Sequence, residues 1–190
     1  MPKRIAIDAM GGDGGVRVTL PAALQALELN SGLSVTLVGD KSQIEHYLDP
    51  ISASLADRIS IDHTVDVISD EDKPANVLRS GKTSSMYKAV QLLQDGRVEA
   101  MVSAGNTGAL LMIGRHLLKT ISGIQKPAIV ASIPSVTRQC FLLDVGANPI
   151  VNAQQLFEFA VMGSVLAESL QGGIAKVGLL NIGSEQFKGT

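Results

Sequence analysis

Val102-Ser103-Ala104-Gly105-Asn106-Thr107-Gly108 is the stretch that decides how this chain is read. Before it, Val98-Glu99-Ala100-Met101-Val102 has the composition of a short buried strand; after it, Ala109 to Leu118 reads as a buried helix. Small and polar residues at a strand-to-helix turn let the backbone come close to a ligand. The first N–H groups of the helix have no partner within it and favour an anion. Ser103, Asn106 and Thr107 add side-chain donors. Turns of this kind lie at the carboxyl ends of strands, where open α/β sheets bind ligands. The same residues would also make a plain tight turn with an Asn or Thr cap.

Outward from this turn, strand and helix patterns alternate. Arg4 to Asp8 reads as a strand that runs into the glycine-dense loop Ala9-Met10-Gly11-Gly12-Asp13-Gly14-Gly15. Its spacing is not G-x-G-x-x-G, so no dinucleotide fingerprint is present. Gly11 and Gly12 would let a substrate approach the backbone, with Asp8 and Asp13 as orienting groups; a flexible turn is the alternative. Val18 to Leu29 is helical in period, with Leu20, Ala23, Leu24 and Leu27 on one face. Ser34 to Val38 and Ile59 to His63 read as strands around a short helix, Gln43 to Leu48. This β-α-β-α-β order predicts a mostly parallel sheet covered by helices.

Pro74 opens a helix, and Ser84 or Ser85 caps the next one. Gly81-Lys82-Thr83 imitates the end of a nucleotide phosphate loop, but position 76 is Asn where glycine is required, so that motif is rejected. Lys82 at the helix entrance remains a candidate anion contact. Residues 127–133 and 140–144 read as two strands joined closely enough to make one antiparallel step in the sheet. Asp144-Val145-Gly146-Ala147-Asn148 is a second polar strand exit. Gln154 to Leu170 is a long helix with Leu156, Phe159, Ala160, Gly163, Leu166 and Leu170 expected inward. Lys176 to Asn181 reads as a last strand leading into a third polar exit through Gly183 and Lys188. A strand exit should feed a helix and none follows. The expectation is one α/β domain over 1–190 that forms the N-terminal portion of a larger fold.

Composition narrows the function. The chain has 190 residues, 18% of them charged, with a formal net charge of −2 and 3% aromatics. Nucleic-acid binding is disfavoured, because it needs a basic face and stacking rings. A lone Cys140, and an opening that leads straight into a strand, point to a reducing cytoplasmic setting. No apolar run is long enough to cross a bilayer. The three histidines are scattered, with no zinc spacing, and no Ser/His/Asp set or nucleophile elbow is visible.

Several stretches in order resemble one family. They are Ile7 to Asp13, Ser103 to Leu110, Leu142 to Asn148 and Val177 to Gly183, together with Lys73-Pro74-Ala75, Lys82 with Ser84-Ser85-Met86, and Phe159 to Ser164. The chain is similar in these to the PlsX family, the bacterial phosphate acyltransferases of phospholipid synthesis. It departs at Gly14-Gly15-Val16, Pro149 to Ala153 and Ser184-Glu185, where the family usually has other residues. The resemblance implies that fatty acyl carrier protein and inorganic phosphate give acyl phosphate and free carrier protein, without a cofactor or metal. It implies a Rossmann-like three-layer α/β/α fold similar to phosphotransacetylases and to isocitrate and isopropylmalate dehydrogenases. It also implies a homodimer, with peripheral membrane contact through the remaining half.

Phosphate is already an anionic nucleophile, so such a site must supply positioning and oxyanion stabilisation rather than a covalent nucleophile. On this reading Lys188 and Asn106 carry the catalysis, Lys188 on phosphate or the developing oxyanion. Asp8, Gly11, Gly12, Asp13, Lys82, Ser103, Gly105, Thr107, Gly108, Asp144, Asn148, Asn181 and Gly183 form the substrate and phosphate site. The aspartates there orient loops rather than transfer protons. Three other readings compete. One is a phosphotransacetylase-like enzyme using acyl-CoA. Another is a metal-dependent hydroxyacid dehydrogenase, for which no magnesium cluster is visible. The third is a folded fragment with only a binding role.

Overall fold

The computed structural model describes residues 3–49, 51–136, 138–181 and 183. They fall into two compact units, Met1–Lys119 and Thr120–Thr190. The first unit holds β1 (Lys3–Asp8), α1 (Val16–Leu29), β2 (Leu33–Gly39), α2 (Lys41–Leu48), α3 (Ala53–Ala56), β3 (Ile59–His63), α4 (Pro74–Ser80), α5 (Ser85–Gln94), β4 (Ala100–Val102) and α6 (Thr107–Leu118). Its sheet has the order β3-β2-β1-β4, and every pairing is parallel.

Alternation along the strands explains why helices cover both faces. On one face, Val35 and Leu37 of β2 pack with Leu20, Ala23 and Leu27 of α1 and Ile44 of α2, and Ile7 of β1 joins them. On the other, Ala6 and Val38 pack with Ala89 and Leu92 of α5. Met86 and Val90 of α5 also meet Ala109 and Ile113 of α6. Successive residues of a strand point to opposite faces, so a sheet apolar on both sides is buried on both.

This arrangement sets up a switch point. After β1 the chain turns into α1 on one face; after β4, the neighbour of β1, it turns into α6 on the other. Helices that leave adjacent parallel strands in opposite directions open a crevice at the carboxyl ends of those strands. The loops after Asp8 and Val102 meet there.

In the second unit β5 (Val130–Pro134) and β6 (Gln139–Leu143) pair antiparallel, and α7 (Ala153–Gln171) follows. The expected antiparallel pair is therefore present, but it forms a two-stranded sheet of its own rather than a step in the parallel sheet. The inward face expected for α7 is also corrected. Gln155, Glu158 and Phe159 are its buried residues, whereas Leu156 and Leu170 are 38% and 65% exposed. The polar members are buried because they hold the chain around residue 125: the Gln125 N–H donates to Glu158 Oε2 at 2.7 Å, and Gln155 Nε2 donates to Gln125 Oε1 at 3.3 Å. Asn152 and Gln155 close the start of α7 as a capping box. Residues 176–181 form no strand. A strand exists through its pairing partner, none lies beside this segment among the described residues, and Leu179 and Leu180 are exposed.

Leu37, fully buried at the centre of β2, is the position where loss of packing should tell most. Leu37→Ala should cost about 2–5 kcal/mol of stability, read as a lowered midpoint in urea with an unchanged slope.

Candidate functional site at the ends of β1 and β4

The register pairs Ile7 with Val102, so the next residues, Asp8 and Ser103, leave the sheet side by side. Ser103 Oγ donates to Asp8 Oδ2 at 2.6 Å, and the Gly105 N–H donates to Ser103 Oγ at 3.1 Å. Asp8 is 1% exposed, and its Oδ1 receives no hydrogen bond among the described residues. The two loops lie backbone against backbone above this pair. A Cβ on Gly11 would stand 2.6 Å from Asp8 Oδ2 and 3.0 Å from the Gly105 nitrogen. Gly12, at φ +80°, would put one 2.9 Å from the Ala104 carbonyl oxygen. Both positions require glycine, and the need comes from the neighbouring loop and from Asp8.

Asn106 is the N-cap of α6, its Oδ1 accepting the Ala109 N–H at 3.0 Å. Its Nδ2 donates to the carbonyls of Ser69, Asp70 and Asp72 at 3.1, 3.4 and 3.2 Å. The side chain thus staples the acidic loop to the helix start, a role the sequence did not disclose because the partners lie more than thirty residues away. The N–H of Leu110 goes to the Asn106 carbonyl at 3.0 Å. With Gly105, Ala109 and Leu110 taken, the N–H groups of Asn106, Thr107 and Gly108 are left with no protein acceptor among the described residues. Thr107 is exposed and Gly108 half-buried, so this row faces outward.

The remaining candidates are placed as follows. Asp13 and Lys82 are exposed and take part in no hydrogen bond or ion pair among the described residues. In the second unit, Asp144 closes its own loop: Oδ1 accepts the N–H groups of Ile129 and Ala147 at 2.9 and 3.0 Å. Its Oδ2 accepts the Asn148 N–H and Nδ2 at 2.7 and 2.9 Å. Asn148 Nδ2 also reaches the Pro127 carbonyl at 2.8 Å. Burial works to raise the Asp144 pKa, but these hydrogen bonds outweigh it and hold the carboxyl below its ordinary value of 3.8. Asn181 Nδ2 donates to the Gly183 carbonyl at 3.3 Å. Lys188 lies outside the described residues. Among the described residues no group of three or more His, Cys, Asp or Glu could hold a metal ion, and no helix is long and apolar enough to cross a membrane.

The model of the family described as fatty acid synthesis protein matches residues 3–190. The chain belongs to this family. Among curated relatives, a phosphate acyltransferase of Shewanella baltica (strain OS155 / ATCC BAA-1091) is 51% identical over 187 residues, covering 97% of this chain and 55% of the relative. One from Shewanella pealeana is 49% identical with the same coverage. The chain spans about half the length of the curated relatives it matches. In fold it is similar to the EutD phosphotransacetylase from Staphylococcus aureus, with a TM-score of 0.63, 18% identity, and coverage of 88% of this chain and 53% of that one.

Two outcomes follow for this family member. Gly11→Ala should destabilise the first unit by about 1–3 kcal/mol, because the new methyl overlaps Asp8 and the Gly105 backbone; the urea midpoint reads it. Asp144 has a folded pKa below its unfolded value, so its contribution is complete above about pH 4 and drains away as pH falls through the folded pKa. Amide exchange at Ala147 and Asn148 should be slower in the wild type than in Asp144→Asn at pH 7, and the gap should close on acidification.

Proposed function

We propose that this chain supplies the phosphate-binding part of an enzyme that transfers a fatty acyl group from acyl carrier protein to inorganic phosphate. The observation that carries the reading is the row of three unpaired N–H groups at the start of α6, set in the switch-point crevice. The phosphate acyltransferase relatives give that anion site a reaction. Phosphate held there is oriented by donors that cost no reorganisation, because the helix and its Asn106 cap already fix them. A phosphate oxygen attacks the thioester carbonyl carbon; the C–O bond forms, the C–S bond breaks, and the carrier leaves as a thiolate that takes up a proton. Donors aimed at the tetrahedral oxyanion supply the stabilisation that such a step needs.

The roles are assigned as follows. Asn106 acts as a positioning residue through its cap and its hold on residues 69–72. Thr107 and Gly108 offer N–H groups to phosphate, Ser103 and Asp8 set the turn, and Gly11 and Gly12 let the two loops pack against each other. Lys82 is a further anion contact and Asp13 an orienting group. Lys188 neutralises phosphate or the oxyanion, and Asp144, Asn148, Asn181 and Gly183 contribute to substrate binding. The enzyme works as a homodimer, cytoplasmic and in peripheral contact with the membrane that uses its product.

Phosphate-dependent thiol release, measured on this chain and on one extended to the relatives' length, tests the reading. The extended chain should act on acyl carrier protein, and Lys188→Ala in it should lower turnover about a hundredfold, far more than Lys82→Ala. Preference for acyl-CoA would reassign the donor, and an unaffected Lys188→Ala enzyme would move the catalytic cation elsewhere.

A further inference from the structure

Unused hydrogen-bonding capacity at this site comes in two opposite kinds. At the start of α6, the N–H groups of Asn106, Thr107 and Gly108 are donors without protein acceptors among the described residues. In the Asp8–Ser103 pair that precedes them, the groups short of a partner are acceptors. Asp8 Oδ1, in a carboxylate almost wholly buried, receives nothing from the described residues. Ser103 gives its one proton to Asp8 Oδ2 at 2.6 Å and spends one lone pair on the Gly105 N–H at 3.1 Å. A hydroxyl has one donor and two lone pairs, so Ser103 keeps a single lone pair and no proton. The residue is half-buried rather than sealed, which leaves that lone pair within reach of a ligand.

We infer that this site selects an oxyanion that still carries a proton, namely hydrogen phosphate, against fully deprotonated oxyanions such as sulfate. Ser103 is the specificity-determining acceptor, and Asp8 is the positioning residue that keeps the Ser103 proton turned away from the ligand. The inference rests on the phosphate reading above and adds the protonation state and its sensor. Hydrogen phosphate has oxygens for the three N–H groups and a P–O–H for the Ser103 lone pair. Sulfate at neutral pH offers only acceptors. It would set an oxygen against that lone pair, with the Asp8 carboxylate behind it in a poorly screened interior. Discrimination then comes from a repulsive element facing the wrong ligand, and from a polar group left unpaired by it. Gly11 belongs to the device, since a Cβ there would displace the Asp8 oxygen that holds Ser103.

The experiment is titration of the chain with inorganic phosphate, arsenate and sulfate at pH 8 and fixed ionic strength, followed through the amide signals of Asn106, Thr107 and Gly108. Phosphate and arsenate, both protonated there, should bind about tenfold or more tighter than sulfate. In Asp8→Asn the carboxamide can donate to Ser103 Oγ, which frees the hydroxyl proton to face the ligand. The phosphate-to-sulfate ratio should then fall to near one, with sulfate binding gained rather than lost. Ser103→Ala should level the ratio too, and it decides the matter if Asp8→Asn does not fold. A brace that merely shapes the turn would weaken all three ions together and leave the ratio unchanged. Equal binding of phosphate and sulfate by the wild type, or a ratio unmoved in the folded variants, overturns the inference while leaving the phosphate site in place. Thiol release that needs no phosphate, with no shift at these amides, overturns both.

Discussion

The hydrogen bond from Ser103 to Asp8 is the contact on which the first unit's carboxyl edge depends. It joins the ends of two adjacent parallel strands whose helices leave toward opposite faces. A buried carboxylate is costly unless something holds it, and here the only holder among the described residues is the first residue of the β4–α6 turn. That fixes Ser103, which fixes Gly105 through its N–H, and the helix begins one residue later at the Asn106 cap. The glycines of the β1–α1 loop follow from the same constraint, because the loop must cross over Asp8 with no room for a side chain at Gly11. Strand order, turn geometry and exposed amides thus form one connected arrangement.

Much of this was legible in the sequence. The apolar periods located the parallel strands of the first unit, and the small polar residues after Val102 and Asp8 marked the two loops that meet. Such signals are local: a strand, a cap and a glycine turn are each written within a few residues. Asn106 shows where local reading stops. Its position before an apolar helix announces a cap, but both Nδ2 hydrogens are committed to carbonyls of the 69–72 loop, a pairing only the tertiary fold creates. The donors left over near Asn106 among the described residues are therefore backbone amides and not its side chain.

The second unit was harder to read for a different reason. Apolar residues spaced along α7 look like a core face, yet burial is decided by what packs against them. With a two-stranded sheet beside it, α7 buries Gln155 and Glu158 because they satisfy the chain at Gln125, and Leu170 stays out. Residues 176–181 have strand composition but no neighbour to pair with. Composition gives a preference, and a sheet requires a partner in register as well.

Asp8 and Asp144 show how two carboxylates at similar strand exits come to differ. Both follow a short apolar strand and precede a glycine-containing loop, and nothing in their local sequence separates them. Asp144 takes four hydrogen bonds from its own loop and the preceding segment, both oxygens are used, and its pKa is drawn down. It is a closed structural unit with no capacity left over. Asp8 is more deeply buried yet, among the described residues, takes one hydrogen bond from Ser103 and leaves Oδ1 empty. Leaving a buried acceptor unsatisfied costs about 1–3 kcal/mol, and such atoms are few in folded proteins. A carboxylate meant only to brace a turn would be expected to look like Asp144. The incomplete one is hydrogen-bonded to the turn whose next amides have no protein acceptor among the described residues.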